Sequence, residues 1–337
     1  LKINKFSCGE GEAQLFAEAL AKTTVLEKFE VHNGEEESGK HLVKALAEAL
    51  KVNSCITSIS FKYGDIRDEG AKALAEALKV NTSIVNLGLQ GNGISDEGAK
   101  DVIDEQHISC RGPFGVPIRL KALAEALKVN SSVANIDLRF NRIGDEGAKA
   151  FAEALKVNTS IVNMNLVQNG IGEEGAKALA EALKVNTCIE NINLEMNSIR
   201  KEGAKAFAEA LKNSRSVRKV DLMDNGIGPE GAKAIAEALK TNASVREINL
   251  TSNGMGPEGA KAVAEALKTN ASVTKISLCC NGIGFEGAKA LVEAMRMNTS
   301  VNKMDLRMND IGEEGAKALQ EVVEEKEKKG LKLQIAL

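Results

Sequence analysis

An asparagine returns every 28 residues through half of this 337-residue chain, as Asn141, Asn169, Asn197, Asn225, Asn253, Asn281 and Asn309. Each heads a copy of one pattern, which from Asn141 to Leu166 reads N-R-I-G-D-E-G-A-K-A-F-A-E-A-L-K-V-N-T-S-I-V-N-M-N-L. A fixed period of about 20–50 residues is the mark of a solenoid, because each copy can bury its apolar face only against its neighbours. Repetition therefore overrides the two-domain expectation that length alone would set.

Each copy divides into a strand and a helix. In Val133–Leu138, Ile136 and Leu138 fall two apart on one face, and Asn135, Asp137 and Arg139 fall on the other. The spacing then predicts a helix over about Asp145–Lys156, with Pro229 and Pro257 at the first helical position, where a missing N–H is harmless. Lys149, Glu153 and Lys156 make its solvated stripe, and Ala148, Phe151, Ala152 and Leu155 its buried one. Gly147 and its six downstream equivalents never vary. Glycine in a helix costs about 0.8–1.0 kcal/mol relative to alanine, so its retention predicts close backbone packing.

The period falters upstream. Asn92 precedes Asn141 by 49 residues, a full period plus a short unit of 21 that contains His107–Pro117. Seven residues are missing from that unit, which we assign to its strand and turn. Gly64 takes the asparagine position one repeat further back, and Gly34–Gly39 adds two residues to another unit. The chain reads as a single array over 1–337 of about twelve strand–helix units, irregular near 32–42 and 106–119 and capped by 313–337. In that cap a long charged helix precedes Leu331, Leu333, Ile335 and Leu337, alternating as a closing strand. The chain opens without Met on alternating Leu1 and Ile3, which predicts further sequence upstream.

I-D-L-R-F-N-R-I, with Ile136, Leu138, Asn141 and Ile143 in the key places, resembles the leucine-rich repeat. The 28-residue period and the G-A-K-A-L-A-E-A-L-K helix look like the ribonuclease-inhibitor-like subclass, closest in style to NOD-like receptor repeat regions. The resemblance implies an α/β right-handed solenoid, a horseshoe with a parallel inner sheet and outer helices. It also implies that Asn141, Asn169, Asn197, Asn225, Asn253, Asn281 and Asn309 are structural, bonding the backbone of adjacent coils. Ribonuclease inhibitors are rich in Cys and Trp, whereas this chain has six Cys and no Trp. Ran GTPase-activating proteins, in the same subclass, use an arginine that has no evident counterpart here.

Several motifs imitate chemistry. Gly170–Gly175, Gly226–Gly231, Gly254–Gly259 and Gly282–Gly287 match G-x-G-x-x-G between a strand and a helix. Equivalent repeats carry Arg142, Ser198 or Asp310 at the first glycine, and Glu173 and Glu174 would repel a pyrophosphate, so no cofactor is expected. Gly34–His41 approaches a P-loop, but three glutamates fill the cradle and His41 replaces the magnesium-binding hydroxyl. His107 near Cys110 is read as a repaired break in the array rather than a thiol–base pair. No spacing suggests a zinc site. The expectation is a chain that is not an enzyme, with neither metal nor cofactor.

Net charge is −3 from 44 basic and 47 acidic residues, without the basic footprint of a nucleic-acid binder. No apolar run approaches the roughly 18 residues of a membrane span. Cys8, Cys55, Cys110, Cys188, Cys279 and Cys280 are scattered, the pattern of free thiols in a reducing, cytoplasmic setting. Asn81, Asn130, Asn158, Asn242, Asn270 and Asn298 head N-x-S/T sequons. They are read as helix terminators in the left-handed conformation that Asn tolerates, rather than as glycosylation sites.

If the strands line the concave side, its exposed columns are legible. The first reads Asn135, Asn163, Asn191, Lys219, Glu247, Lys275, Lys303, and the second Asp137, Asn165, Asn193, Asp221, Asn249, Ser277, Asp305. A third, Arg139, Val167, Glu195, Met223, Thr251, Cys279, Arg307, is individually written, as is its neighbour Phe140, Gln168, Met196, Asp224, Ser252, Cys280, Met308. Arg and Met are enriched at protein interfaces. The expected function is a non-catalytic protein–protein interaction scaffold binding a protein partner on the concave face. Its candidate contacts are Arg139, Phe140, Glu195, Met196, Met223, Asp224, Arg307 and Met308. A GTPase-activating regulator resembling Ran activators and a structural spacer in a larger assembly are the alternatives. Oligomeric state is left open.

Overall fold

Strand and helix alternate along the chain as the repeat requires. The computed structural model describes residues 1–4, 8–32, 36–64, 66–93 and 120–337, apart from the side chains of Glu36, Glu37, Ser38, Lys40, Asp68 and Leu120. Two units are formed, Leu1–Gly170 and Ile171–Leu337.

The first unit runs β1 (Lys2–Asn4), α1 (Glu10–Lys22), β2 (Lys28–His32), α2 (Glu36–Leu50), β3 (Ser58–Lys62), α3 (Arg67–Leu78), β4 (Asn86–Gly88), α4 (Leu120–Val129), β5 (Asn135–Asp137), α5 (Gly144–Leu155) and β6 (Asn163–Asn165). Its strands pair in parallel in chain order. The second unit runs α6 (Glu173–Val185), β7 (Asn191–Asn193), α7 (Arg200–Asn213), β8 (Lys219–Asp221), α8 (Gly228–Thr241), β9 (Glu247–Asn249), α9 (Gly256–Thr269), β10 (Lys275–Ser277), α10 (Gly284–Met297), β11 (Lys303–Asp305), α11 (Gly312–Lys328) and β12 (Gln334–Ala336). These strands also pair in parallel in chain order. Each unit is an α/β solenoid with every strand hydrogen-bonded to that of the next coil.

One expectation is revised. Asn86 of β4 pairs directly with Asn135 of β5, so the 49-residue step is one coil. It is a standard coil enlarged by 21 residues, not a full period followed by a short unit that lost seven. His107, Cys110 and Gly112–Pro117 lie outside the described residues. The two-residue addition near 32–42 is seen in the register, since Lys28 pairs with Ser58, 30 residues on.

The predicted faces hold. Ile136 and Leu138 are buried, as are Ala148, Phe151, Ala152 and Leu155 of α5, while Glu153 and Lys156 face solvent. Glu153 and Lys156 are paired at 2.5 Å. Exposed pairs of this kind contribute about 0.5 kcal/mol or less, so the apolar stripe decides where the helix sits. The invariant glycine has the predicted reason. A Cβ on Gly203 would lie 2.8 Å from Ala176 Cβ of the preceding helix and 2.6 Å from Ile199 Cγ2. At the start of the chain the filling is aromatic, with the Phe29 ring 5.6 Å from that of Phe16 and 6.4 Å from that of Phe61.

Two asparagine ladders hold successive coils together. At the end of each strand turn, Asn253 Nδ2 donates to the carbonyls of Leu222 (2.8 Å) and Leu250 (3.1 Å), while its Oδ1 accepts the Asn225 N–H at 3.0 Å. Asn141, Asn225, Asn281 and Asn309 repeat the contact to the preceding coil. At the helix ends, Asn270 Nδ2 donates to the carbonyls of Leu239 (2.7 Å) and Asn242 (3.0 Å), and its Oδ1 accepts the N–H groups of Ser272 and Val273. These caps are extended, not left-handed: Asn242 has φ −72°, ψ 131° and Asn270 φ −72°, ψ 125°. The sequon asparagines do terminate helices, but by bridging two coils. Asn81, Asn130, Asn158, Asn242, Asn270 and Asn298 are at most 5% exposed and their amide nitrogens are already engaged.

Candidate binding surface

Past each strand the hydrogen-bonded ladder continues for two residues and then turns. In the second unit Met196, Asp224, Ser252 and Cys280 donate their N–H groups to the carbonyls of Met223, Thr251, Cys279 and Arg307 on the next coil, at 2.9–3.0 Å. The residue before the ladder asparagine is left-handed in coil after coil. Tyr63, Phe140, Gln168, Met196, Asp224, Ser252, Cys280 and Met308 have φ between 51° and 57°, and Gly91 has φ 66°. This conformation costs a residue other than glycine about 1–2 kcal/mol.

The four columns read from the sequence separate physically. The second column is a turn support: Asp137, Asn193, Asp221, Asn249 and Asp305 each accept, through Oδ1, the N–H of the residue two positions on. Such side chain-to-backbone bonds are the ordinary use of Asn and Asp in turns. The first column is largely self-satisfied. In the first unit Asn135 donates to Asn86 Oδ1 at 2.7 Å and Asn163 donates to Asn135. In the second, Glu247 is paired with Lys275 at 2.6 Å, and that bond holds its carboxyl below the usual carboxylate range.

In the third column Arg139 and Arg307 each grip their own strand's aspartate. Arg139 reaches Asp137 at 2.7 Å and Arg307 reaches Asp305 at 2.6 Å. The Arg307 bond pulls the Asp305 carboxyl down. Val167, expected on the exposed side with this column, is only 5% exposed and belongs to the core. Burial and the hydrogen bond with Cys280 push the Cys279 thiol up to about 11, with Asp305 adding to the shift and Arg307 opposing it.

The left-handed column is the open one. Phe140 (36%), Met196 (40%) and Met308 (79%) expose large apolar surface, and Asp224 is exposed. Glu195 and Met223 beside them are half-buried. Arg139 and Phe140 belong to the first unit, and Glu195, Met196, Met223, Asp224, Arg307 and Met308 to the second. Each unit thus carries its own strip. Sequence reading missed Tyr63, half-exposed at the same turn and bonded through its hydroxyl to Gln90. Counting one residue back from Gly64 would have found it. Gly91 is glycine because a Cβ there would lie 2.4 Å from the Tyr63 ring.

The glycine motifs have structural duties. Gly228, Gly256 and Gly284 are left-handed, and their N–H groups donate to the carbonyls of Asn253, Asn281 and Asn309 at 2.9–3.0 Å. A phosphate cradle needs those amides pointing at the ligand. In the P-loop-like stretch, residues 33–35 and several following side chains lie outside the description.

Nine segments, residues 52–75, 80–102, 129–152, 157–180, 185–208, 213–236, 241–264, 269–292 and 298–319, match the family model for the Leucine Rich repeat and cover more than half of the chain. The chain belongs to the leucine-rich repeat family. No curated protein sequence matches this leucine-rich repeat chain. Among solved structures it is similar to the leucine-rich repeat-containing protein LegL7 from Legionella pneumophila, at 16% identity and a TM-score of 0.55, over 96% of this chain and 97% of that one. It is also similar to the tropomodulin C-terminal domain of Caenorhabditis elegans, at 19% identity and a TM-score of 0.39, over 46% of this chain and 95% of that one. At 16% identity the likeness to LegL7 is one of fold. Among the described residues no helix is long and apolar enough to cross a membrane.

Proposed function

We propose that the strip of turn side chains is a docking surface for a protein partner. Leucine-rich repeats generally mediate protein–protein interaction. One observation carries the choice of face. One left-handed backbone position, where a side chain is costly, is filled by Tyr, Gly, Phe, Gln, Met, Asp, Ser, Cys and Met in successive coils. The core and ladder positions, by contrast, hardly change. Individual side chains kept against a conformational cost of about 1–2 kcal/mol each point to selection for contact. In the first unit the contacts are Arg139 and Phe140. In the second they are Glu195, Met196, Met223, Asp224, Arg307 and Met308, with the methionines supplying adaptable apolar surface.

The 28-residue coil with a full return helix supports placement in the ribonuclease-inhibitor-like subclass. The free thiols of Cys55, Cys188, Cys279 and Cys280 support a reducing, cytoplasmic setting. The reading is tested by immobilising the whole chain, identifying a retained protein, and repeating the capture with Met196→Asn and Met308→Asn combined. Asparagine suits the left-handed backbone, so the fold persists. Retention should fall at least tenfold, while Lys261→Glu on the helical face leaves it intact. Equal retention by the double variant overturns the assignment.

A further inference from the structure

Three sulfur atoms meet at one end of the second unit's strip. Cys279 Sγ lies 3.2 Å from Cys280 Sγ, and Cys280 Sγ lies 3.5 Å from Met308 Sδ on the next coil. Neighbouring side chains of a regular strand point to opposite faces, which would hold adjacent thiols apart. Here Cys280 has left β10 and sits at φ 56°, so its side chain returns beside that of Cys279. The same turn one coil on, at Met308 with φ 56°, brings the thioether to the pair. Both thiols are half-exposed and Met308 is open to solvent, so the cluster is accessible.

Two thiols and a thioether are a soft donor set. Soft sulfur ligands suit Cu(I) and zinc alike, but zinc sites are built from thiolate, imidazole and carboxylate, so the thioether in the set favours Cu(I). We propose that Cys279, Cys280 and Met308 form a three-coordinate site for one cuprous ion. Capture of Cu⁺ forms two copper–thiolate bonds and one bond from the Met308 sulfur lone pair, and releases the two thiol protons to solvent. No electron moves, because copper arrives as Cu(I). The product carries one net negative charge and sits beside the Arg307–Asp305 ion pair. With metal–sulfur bonds near 2.3 Å, the length zinc–thiolate bonds take, a planar trio needs sulfurs about 4 Å apart. The observed separations must therefore open by about 0.5–0.8 Å, which side-chain rotation supplies. The site stands on this cluster alone and does not depend on protein docking.

The test is anaerobic titration of the reduced whole chain with Cu(I) in competition with a chromophoric cuprous chelator. One equivalent should be retained against the chelator. It should persist when Cys8, Cys55, Cys110 and Cys188 are all serine, and vanish in Cys279→Ser and in Cys280→Ser. Met308→Leu, which keeps apolar bulk, should weaken retention at least tenfold. Copper retained equally by the Cys279→Ser variant, or unchanged retention in Met308→Leu, overturns the site. So does displacement of the copper by equimolar zinc.

Discussion

Lys326 donates its ammonium to the Asn298 carbonyl, closing the helix-end ladder where a further asparagine would stand. It lies 28 residues after Asn298 and is only 4% exposed. Earlier coils present a helix-end carbonyl to the next coil's asparagine, as to Asn81, Asn130, Asn158, Asn242, Asn270 and Asn298, while Ser214 stands at one of these ladder positions. In the last coil a longer side chain serves the same acceptor while α11 extends past it.

Lys326→Ala should therefore destabilise the chain by about 1–3 kcal/mol, the range for leaving a buried acceptor unmet. Burial holds the Lys326 ammonium below its usual lysine range. A base whose folded pKa is depressed binds fewer protons folded than unfolded between the two values. Stability should rise as pH climbs from the depressed value toward 10.5 in wild type. Urea unfolding of both proteins from neutral to alkaline pH checks this, and parallel curves would contradict it.

Asn253→Ala should cost about 3 kcal/mol, because it strands the Leu222 and Leu250 carbonyls and the Asn225 N–H together. The expected readout is a lower urea midpoint with faster amide exchange confined to the flanking coils. A loss under about 1 kcal/mol would show that water replaces the ladder.

Gly231→Ala sets two effects against each other. Alanine is the better helix former by about 1 kcal/mol, but its Cβ would meet Ile227 Cγ2 at 2.3 Å and Ala204 Cβ at 3.0 Å. Overpacking costs about 1–3 kcal/mol and should win, so the melting temperature should fall. A rise would mean that α7 and α8 can part at little cost.

The period, the strand and helix faces and the close glycine contact were legible because they obey local spacing and recur. The left-handed turn was not, because eight of its nine side chains are other than glycine and give no conformational signal. The second column was misread as surface for a related reason. Asn and Asp suit both a binding face and a turn support, and only the bond to the N–H two residues on separates them. At Val167 a period of 2 points outward, whereas the side chain is only 5% exposed. The 49-residue step misled because a count of residues cannot tell a short coil from an enlarged one.

Deleting residues 101–121 joins Gly98-Ala99-Lys100 to Ala122-Leu123-Ala124, which restores the repeat's helix sequence and a 28-residue step to Asn141. Because β4 already pairs with β5, the shortened chain should fold, with about 0.5 kcal/mol gained from closing a smaller loop. A lower unfolding midpoint would show that the inserted stretch stabilises the fold.

Placing a photocrosslinking residue at 196 or at 308, with Lys261 on the helical face as the comparison site, tests the docking strip most directly. The account predicts that the protein captured by the whole chain becomes covalently joined from 196 and 308 and not from 261. Joining from 261 alone would contradict it.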